Sequence, residues 1–181
     1  MRGQRAWPAS VLGVLLVTAG AIAVLPSTTQ GAQKKAHAAP SYNAVDLGSL
    51  GGEAGTDAAA MNADGMVVGD SMTKEGTWHA FAWTRKDGMV DLGTLGGLSS
   101  TVASGVVGSR PVNDHGEVIG NSDTPDRRSV PFVWTKHAGM VRLEPPEEFF
   151  VCSATAIDDH GRIFGTCSDE FGPHHAVVWT R

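Results

Sequence analysis

The sequence lacks the patterns that mark most enzymes. It has no G-x-S-x-G nucleophile elbow, no G-x-G-x-x-G dinucleotide loop and no phosphate-binding P-loop. Serine-elbow hydrolysis, nicotinamide chemistry and nucleotide hydrolysis therefore have no recognisable seat in it. It has two cysteines and no second pair, which excludes the zinc frameworks built on four sulfurs. No N-x-[ST] glycan acceptor occurs. The apolar run Val11–Leu25 has fifteen residues, short of the roughly 20 that span a bilayer as a helix. Beyond it no segment carries a helical period.

That run belongs to an export signal. Arg2 and Arg5 precede it, a polar stretch follows, and Ala36-His37-Ala38 forms an A-x-A cleavage pattern. This is the layout of a secretory signal peptide, and the absence of a twin arginine points to general secretion. The expected division is a signal over 1–38 and a single domain over 39–181; cleavage near Gly31 or Ala32 is the alternative. Removing the signal takes away Arg2, Arg5, Lys34 and Lys35 and no acid. The 143 residues left carry 10 Lys and Arg against 19 Asp and Glu, a net charge of −9. An acidic chain without a basic cluster is not built for nucleic acid or for anionic membranes. The reading is therefore a secreted, extracellular protein with no membrane attachment after cleavage.

Three phrases recur in that domain, always in the same order. The first ends in Trp-Thr: HAFAWT (His79 to Thr84), VPFVWT (Val130 to Thr135) and HAVVWT (His175 to Thr180). The second is VDLGSLGG (Val45 to Gly52), VDLGTLGG (Val90 to Gly97) and the degenerate VRLEPPEE (Val141 to Glu148). The third is a turn leading into an apolar run: MNADGMVVG (Met61 to Gly69), VNDHGEVIG (Val112 to Gly120) and IDDHGRIFG (Ile157 to Gly165). Gly65, Gly116 and Gly161 lie 51 and 45 residues apart, and the extra six residues fall around Val106 to Pro111. Short runs of β-branched and aromatic residues bounded by Gly, Asp and Asn are strands. In each turn tetrad the first Asn or Asp can accept a hydrogen bond from the backbone two residues on, and the fourth residue, Gly, supplies positive φ.

Four strands in about 45 residues is the size of a propeller blade. The expected fold is all-β and propeller-like, with three four-stranded repeats. The domain opens on a Val-Asp-Leu strand at Tyr42 to Leu47 and closes on a lone Trp-phrase strand. The C-terminal strand is therefore expected to close onto the N-terminal unit, which would remove both edges. That gives a closed monomer, or a homodimer in which two chains make six blades. The octapeptide resembles a phosphate cradle, but LSSTVAS after Gly97 holds no helix start and no Lys. It reads as an inner strand end followed by tight turns.

HAFAWT-x4-GMVDLGTLGG, followed by a strand, N-D-x-G and V-x-G, resembles the HAF family of extracellular repeat proteins, and the resemblance covers nearly all of Tyr42 to Arg181. It implies secretion, a β-rich repeat fold similar to a propeller, and no established activity. The chain departs from the pattern at Ser129-Val130-Pro131, which replaces the His-Ala-Phe triplet, and at Glu144-Pro145-Pro146-Glu147.

Cys152 and Cys167 sit on neighbouring strands of the third unit, and an exported even pair suggests a disulfide. A four-residue loop at Asp158 to Gly161 sets them face to face, closing a 16-residue loop worth roughly 3 kcal/mol. A bulge at Gly161 puts them on opposite faces. His79 and His175 share one repeat position and His115 and His160 another, which favours a local structural job in each unit over a metal site. The tetrads lack the downstream acid of a calcium loop. Asp46 and Asp91 match in the repeat, with Arg142 in the third copy, and nothing brings the two acids together for glycoside hydrolysis. No catalytic, metal or cofactor residue is expected.

The functional expectation is a non-catalytic module that binds an extracellular polymer or a protein through loops that differ between units. The candidate stretches are Ser71 to Gly76, Asn121 to Arg128 and Asp169 to His174, with Thr73, Lys74, Asp123, Arg127, Arg128, Glu170 and Phe171 as contact residues. Glu53 to Asp57, Ser99 to Ser104 and Glu147 to Phe150 are expected in a separate region. The alternative is an extracellular hydrolase with an acidic site on the propeller axis.

Overall fold

The structure is a computed structural model that describes residues 39, 41–105, 107–169 and 172–181. The expected signal, and Glu170 and Phe171 of the last candidate loop, lie outside the described residues. Among those described there are eleven strands and no helix. The first sheet is β1 (Gly51–Met61), β2 (Val67–Thr73), β3 (Trp78–Thr84) and β4 (Gly88–Asp91). The second is β5 (Ser100–Val102), β6 (Val118–Asp123), β7 (Ser129–Thr135) and β8 (Gly139–Arg142). The third has three strands, β9 (Val151–Ile157), β10 (Ile163–Ser168) and β11 (His175–Trp179). All pairings within sheets are antiparallel and between strands consecutive in the chain.

Two expectations change here. The predicted strand over Tyr42 to Leu47 is absent, and β11 pairs with β10 alone. The closure of the last strand onto the first unit is therefore not formed. The Val-Asp phrase is also not an inner strand end. It forms the outer edges β4 and β8, and the Gly-rich remainder connects one sheet to the next. The small size of Gly97 is used there: its N–H donates to the Asp123 carbonyl at 3.1 Å, and a Cβ would come within 2.5 Å of Asp123.

Asn43–Arg181 forms one unit around two apolar clusters. Val68, Ala80, Ala82 and Leu92 of the first sheet pack on Val102, Val118, Phe132 and Trp134 of the second. Ala103 and Ile119 of the second, with Val133 beside them, pack on Ala154, Ile157 and Ile163 of the third. Val118 and Ile119, like Phe132 and Val133, are strand neighbours, so they point to opposite faces. The first and third sheets thus cover the two faces of the second.

The turn tetrads tie the three sheets together. The expected bond from two residues on forms in two of them, from the N–H of His115 to Asn113 at 3.1 Å and of His160 to Asp158 at 2.9 Å. In all three the first residue also accepts through Oδ1 from four residues on, with Asn62, Asn113 and Asp158 taking the N–H of Met66, Glu117 and Arg162 at 2.9, 3.0 and 2.9 Å. Gly65, Gly116 and Gly161 sit at φ 78°, 75° and 74°. The same side chains also reach the next unit. The Asn62 amide donates to the Asn113 carbonyl at 3.0 Å, and the Asn113 amide to the Asp158 carbonyl at 3.0 Å. A second rung runs from the Ala63 N–H to Asp114 and from the Asp114 N–H to Asp159, both at 3.0 Å.

Beside each tetrad the register shifts by a bulge. In the first sheet Ala60 faces Val68 and Ala58 faces Gly69, so Ala59 is the extra residue. In the third sheet Thr155 takes that place. In the second the whole stretch between Val102 and Val112 sits there, because Val112 still faces Val118 and Val102 faces Gly120. The inserted loop is an enlarged bulge, and its Arg110 bridges in parallel to Ala156 of β9. The glycine after each bulge cannot grow: a Cβ on Gly69, Gly120 or Gly165 would lie 2.0 Å from a partner-strand carbonyl oxygen.

The bulge also decides the cysteine pairing. At the turn Ile157 faces Ile163, a register that would set Cys152 against Ser168. The shift at Thr155 brings Cys152 opposite Cys167, and the two form a disulfide. The equivalent pairs are Thr56 with Ser71 and Ser100 with Ser122. Those hydroxyls accept backbone N–H groups: Leu50 donates to Ser71 at 3.0 Å, Leu95 to Ser122 at 2.9 Å and Ala80 to Ser100 at 3.0 Å. Facing the third sheet, the residues matching Ala80 and Leu95 are Pro131 of β7 and Pro146 of the connection to β9, which have no N–H. The disulfide removes two acceptors where two prolines remove the donors. We expect Cys152→Ser with Cys167→Ser to lower unfolding stability by about 3 kcal/mol in urea melts. Adding Pro131→Ala and Pro146→Leu should return on the order of 1 kcal/mol by restoring the two donors.

Candidate functional site

The loops after β2 and β6 are built alike. In the first, Thr73 is buried and closes the loop by donating its N–H to the Thr77 carbonyl at 2.8 Å and accepting from Gly76 at 3.0 Å. In the second, Thr124 does the same with Arg128 and Arg127, both at 2.9 Å. Thr73 is therefore part of the scaffold, while Lys74 is exposed. The two loops differ at one backbone position of consequence. Gly76 has φ 80°, and its counterpart Arg127 has φ 61°. An L-residue with a side chain costs roughly 1 kcal/mol in that region, and glycine would remove the cost.

Asp123 anchors the start of this loop. Its carboxylate accepts from Ser99 Oγ at 2.6 Å and its N–H donates to the Ser99 carbonyl at 2.8 Å. The Phe150 N–H likewise donates to the Ser168 carbonyl at 3.1 Å. Ser99 to Ser104 and Glu147 to Phe150 therefore begin on the same rim as the candidate loops. The separate region expected for them is corrected by antiparallel pairing, which sets the start of one strand beside the end of its neighbour.

The Asp123–Ser129 turn stands between two open clefts on this rim. One, about 420 Å³, is lined by Arg128, Ser129, Phe150 and Val151. The other, about 530 Å³, is lined by Gly96, Gly97, Leu98, Asp123, Thr124, Pro125 and Arg127. Phe150 and Leu98 are 68% and 71% exposed. The Arg128 guanidinium meets Asp126 at 3.1 Å on the open surface, a pairing of little energetic weight. The structure thus brings together Asp123, Arg127, Arg128, Leu98 and Phe150. It leaves Thr73 and Lys74 on the loop of the neighbouring sheet. The sequence carries no signal for the exposure of Leu98 and Phe150, because apolar residues before a strand usually pack inward.

At the tetrad end a groove of about 210 Å³ lies between the first two sheets, lined by residues that include Ala82, Asp87, Trp134 and Lys136. Its counterpart between the second and third sheets is only about 80 Å³. There Val133 replaces Ala82, and Arg181 turns inward to pair with the buried Glu117. Lys136, which matches Arg181, turns outward to Asp87 at 2.7 Å.

His79 and His115 make local bonds within the fold. His79 Nδ1 pairs with Asp91 at 2.9 Å, holding β3 to β4. His115 Nε2 meets the Asp159 carbonyl at 2.9 Å. Among the described residues one carboxyl, Asp70, is raised well above its ordinary value. Burial pushes Asp70 up to about 6, opposed by the Val102 N–H at 2.8 Å and reinforced by its cross-strand neighbour Asp57. Asp70 is a bolt between sheets, as is its counterpart Asn121, whose amide donates to the Cys152 carbonyl at 3.2 Å. Neither Asp57 nor Asp70 lines the four cavities above.

A raised folded-state value means that the proton is held more tightly in the folded chain. Asp70 then contributes stability below its ordinary 3.8 that is lost as pH rises through about 6. Asp70→Asn should flatten the stability profile between pH 4 and 6 (about those limits). Above pH 7 the variant should be more stable by on the order of 1 kcal/mol after allowance for solvent screening. Thermal melts across pH check both.

Searches against protein-family models, curated proteins and solved structures return no match to this chain.

Proposed function

We propose that this chain is a secreted, non-catalytic HAF-type repeat protein whose sheets are successive blades of a propeller-like array. We propose that its rim binds an anionic extracellular polymer, one bearing carboxylates. The observation that carries the reading is Arg127. The sister loop has glycine at the same left-handed position, so arginine there keeps a backbone cost that folding does not require. Strain of this kind accumulates where a side chain is wanted for a task.

The neighbourhood supports that task. Arg127 and Arg128 are adjacent guanidinium groups on a chain of net charge −9 after export. They flank a turn between two clefts, with Phe150 and Leu98 exposed beside them. Guanidinium groups take carboxylates bidentately, and an exposed ring offers a face to a sugar or an apolar side chain. The disulfide suits an oxidising compartment. The hydrolase alternative needs two carboxylates in one cleft, and among the described residues Asp123 is the single acid lining either rim cleft.

Binding to a soluble polyuronate, followed by calorimetry, tests the reading. Arg127→Gly should weaken it at least about tenfold while raising stability by about 1 kcal/mol. Raising salt should weaken the wild type in the same sense. Equal affinity for polyuronate and a neutral glucan would discard it, as would release of reducing ends from either.

A further inference from the structure

The third sheet has an open edge and the chain has a spare strand. β3 and β7 each carry a partner on their outer edge, β4 and β8, in matching registers: Phe81 faces Asp91 and Ala82 faces Val90, while Phe132 faces Arg142 and Val133 faces Val141. β11 is the same phrase in the third unit, and no described strand pairs with its outer edge. The phrase Asn43–Asp46 matches β4, yet it pairs with nothing. Overlaying the repeats sets Asp46 opposite Val177, Val45 opposite Val178 and Ala44 opposite Trp179.

Side chains specify the same match. In the first sheet His79 and Asp91 bond across the two outer strands at 2.9 Å. The second sheet has lost both, with Val130 and Arg142 in their places. His175 and Asp46 keep both, one on β11, whose outer edge no described strand pairs with, and one on the unpaired phrase. Asp46 accepts only a local N–H, from Gly48 at 2.9 Å, and His175 lies 4.9 Å from the ring of Phe149. Val45 and Val178 are 55% and 62% exposed, although the equivalent valines of the second sheet, Val141 and Val133, face each other.

The chain's own segment is not placed to fill the edge. The Leu50 N–H bonds to Ser71 Oγ at 3.0 Å, which fixes the phrase against the first sheet, as Leu95 and Ser122 do one unit later. The first and third sheets cover opposite faces of the second, and packed sheets stand about 10 Å apart. We propose that the outer edge of β11 takes Asn43–Asp46 of a second copy of this chain, with the His175–Asp46 bond reproducing His79–Asp91. Reciprocal exchange gives two copies with six four-stranded sheets, within the usual four to eight blades. It leaves no open edge of this kind. The proposal goes beyond the polymer-binding reading and stands or falls separately from it.

The test uses the full chain with Val45→Cys and Val178→Cys, both at exposed positions. When the two single variants are mixed and oxidised, a covalent heterodimer is expected on a non-reducing gel, with none from either variant alone. The native wild type should have the mass of two chains, and Asp46→Ala or His175→Ala should raise the dissociation constant about tenfold. A bond formed within one chain of the double variant, or no cross-link in the mixture, overturns the proposal.

Discussion

The fold depends on one side chain doing two jobs at once. The amide of Asn62, and again of Asn113, caps its own turn with its oxygen and reaches the next turn's backbone with its nitrogen. The first job makes a hairpin and the second sets its distance from the neighbouring hairpin. Because Asn113 is fully buried, both bonds form where losing a partner is costly. The amide ladder stops at Asp158, whose side chain has no N–H to pass on and spends its carboxylate on Arg162.

Everything beside the ladder solves a problem the ladder creates. Turns held at a fixed spacing dictate the register near the tetrad, and the apolar faces farther along need another, so each sheet takes a bulge. The bulge brings the partner carbonyl down onto the next residue, and only glycine fits at Gly69, Gly120 and Gly165. Beyond the bulge a cross-strand pair faces a neighbouring connection. Two units fill it with hydroxyls that accept N–H groups, and the third fills it with a disulfide and deletes the donors with proline. The degenerate look of VRLEPPEE is thus a local exchange of one bonding scheme for another.

Much of the architecture could be read from the sequence, because Asn-x-x-Gly turns and Trp phrases impose local geometry that needs no distant partner. The strands and the glycine turns are of this kind, whereas the cysteine pair depends on a bulge at Thr155 that the expected four-residue loop did not contain. The closure at Tyr42 to Leu47 was not of this kind: a strand phrase forms a strand only when an edge is within reach. The shared rim is a consequence of antiparallel pairing, which sets Ser99 beside Asp123, and the order of loops along the chain does not display it. Arg127 was visible as a loop residue, but its positive φ was not, since the match to Gly76 emerges only when the two loops' hydrogen bonds coincide. Nothing in the sequence marks Asp70, because it is the burial between packed sheets that makes its carboxyl a weaker acid.

The most direct measurement compares Asn62→Asp with Asp158→Asn by urea unfolding at pH 7. Aspartate keeps the oxygen that caps the turn and removes the nitrogen that reaches Asn113, and Asp158 shows that an aspartate is compatible with this turn. If the ladder holds the sheets together, Asn62→Asp leaves a buried carbonyl facing a carboxylate and costs about 2–4 kcal/mol, far more than Asp158→Asn. Equal losses for the two variants would mean that the tetrads are turns and nothing more, and that the apolar clusters alone set the stacking.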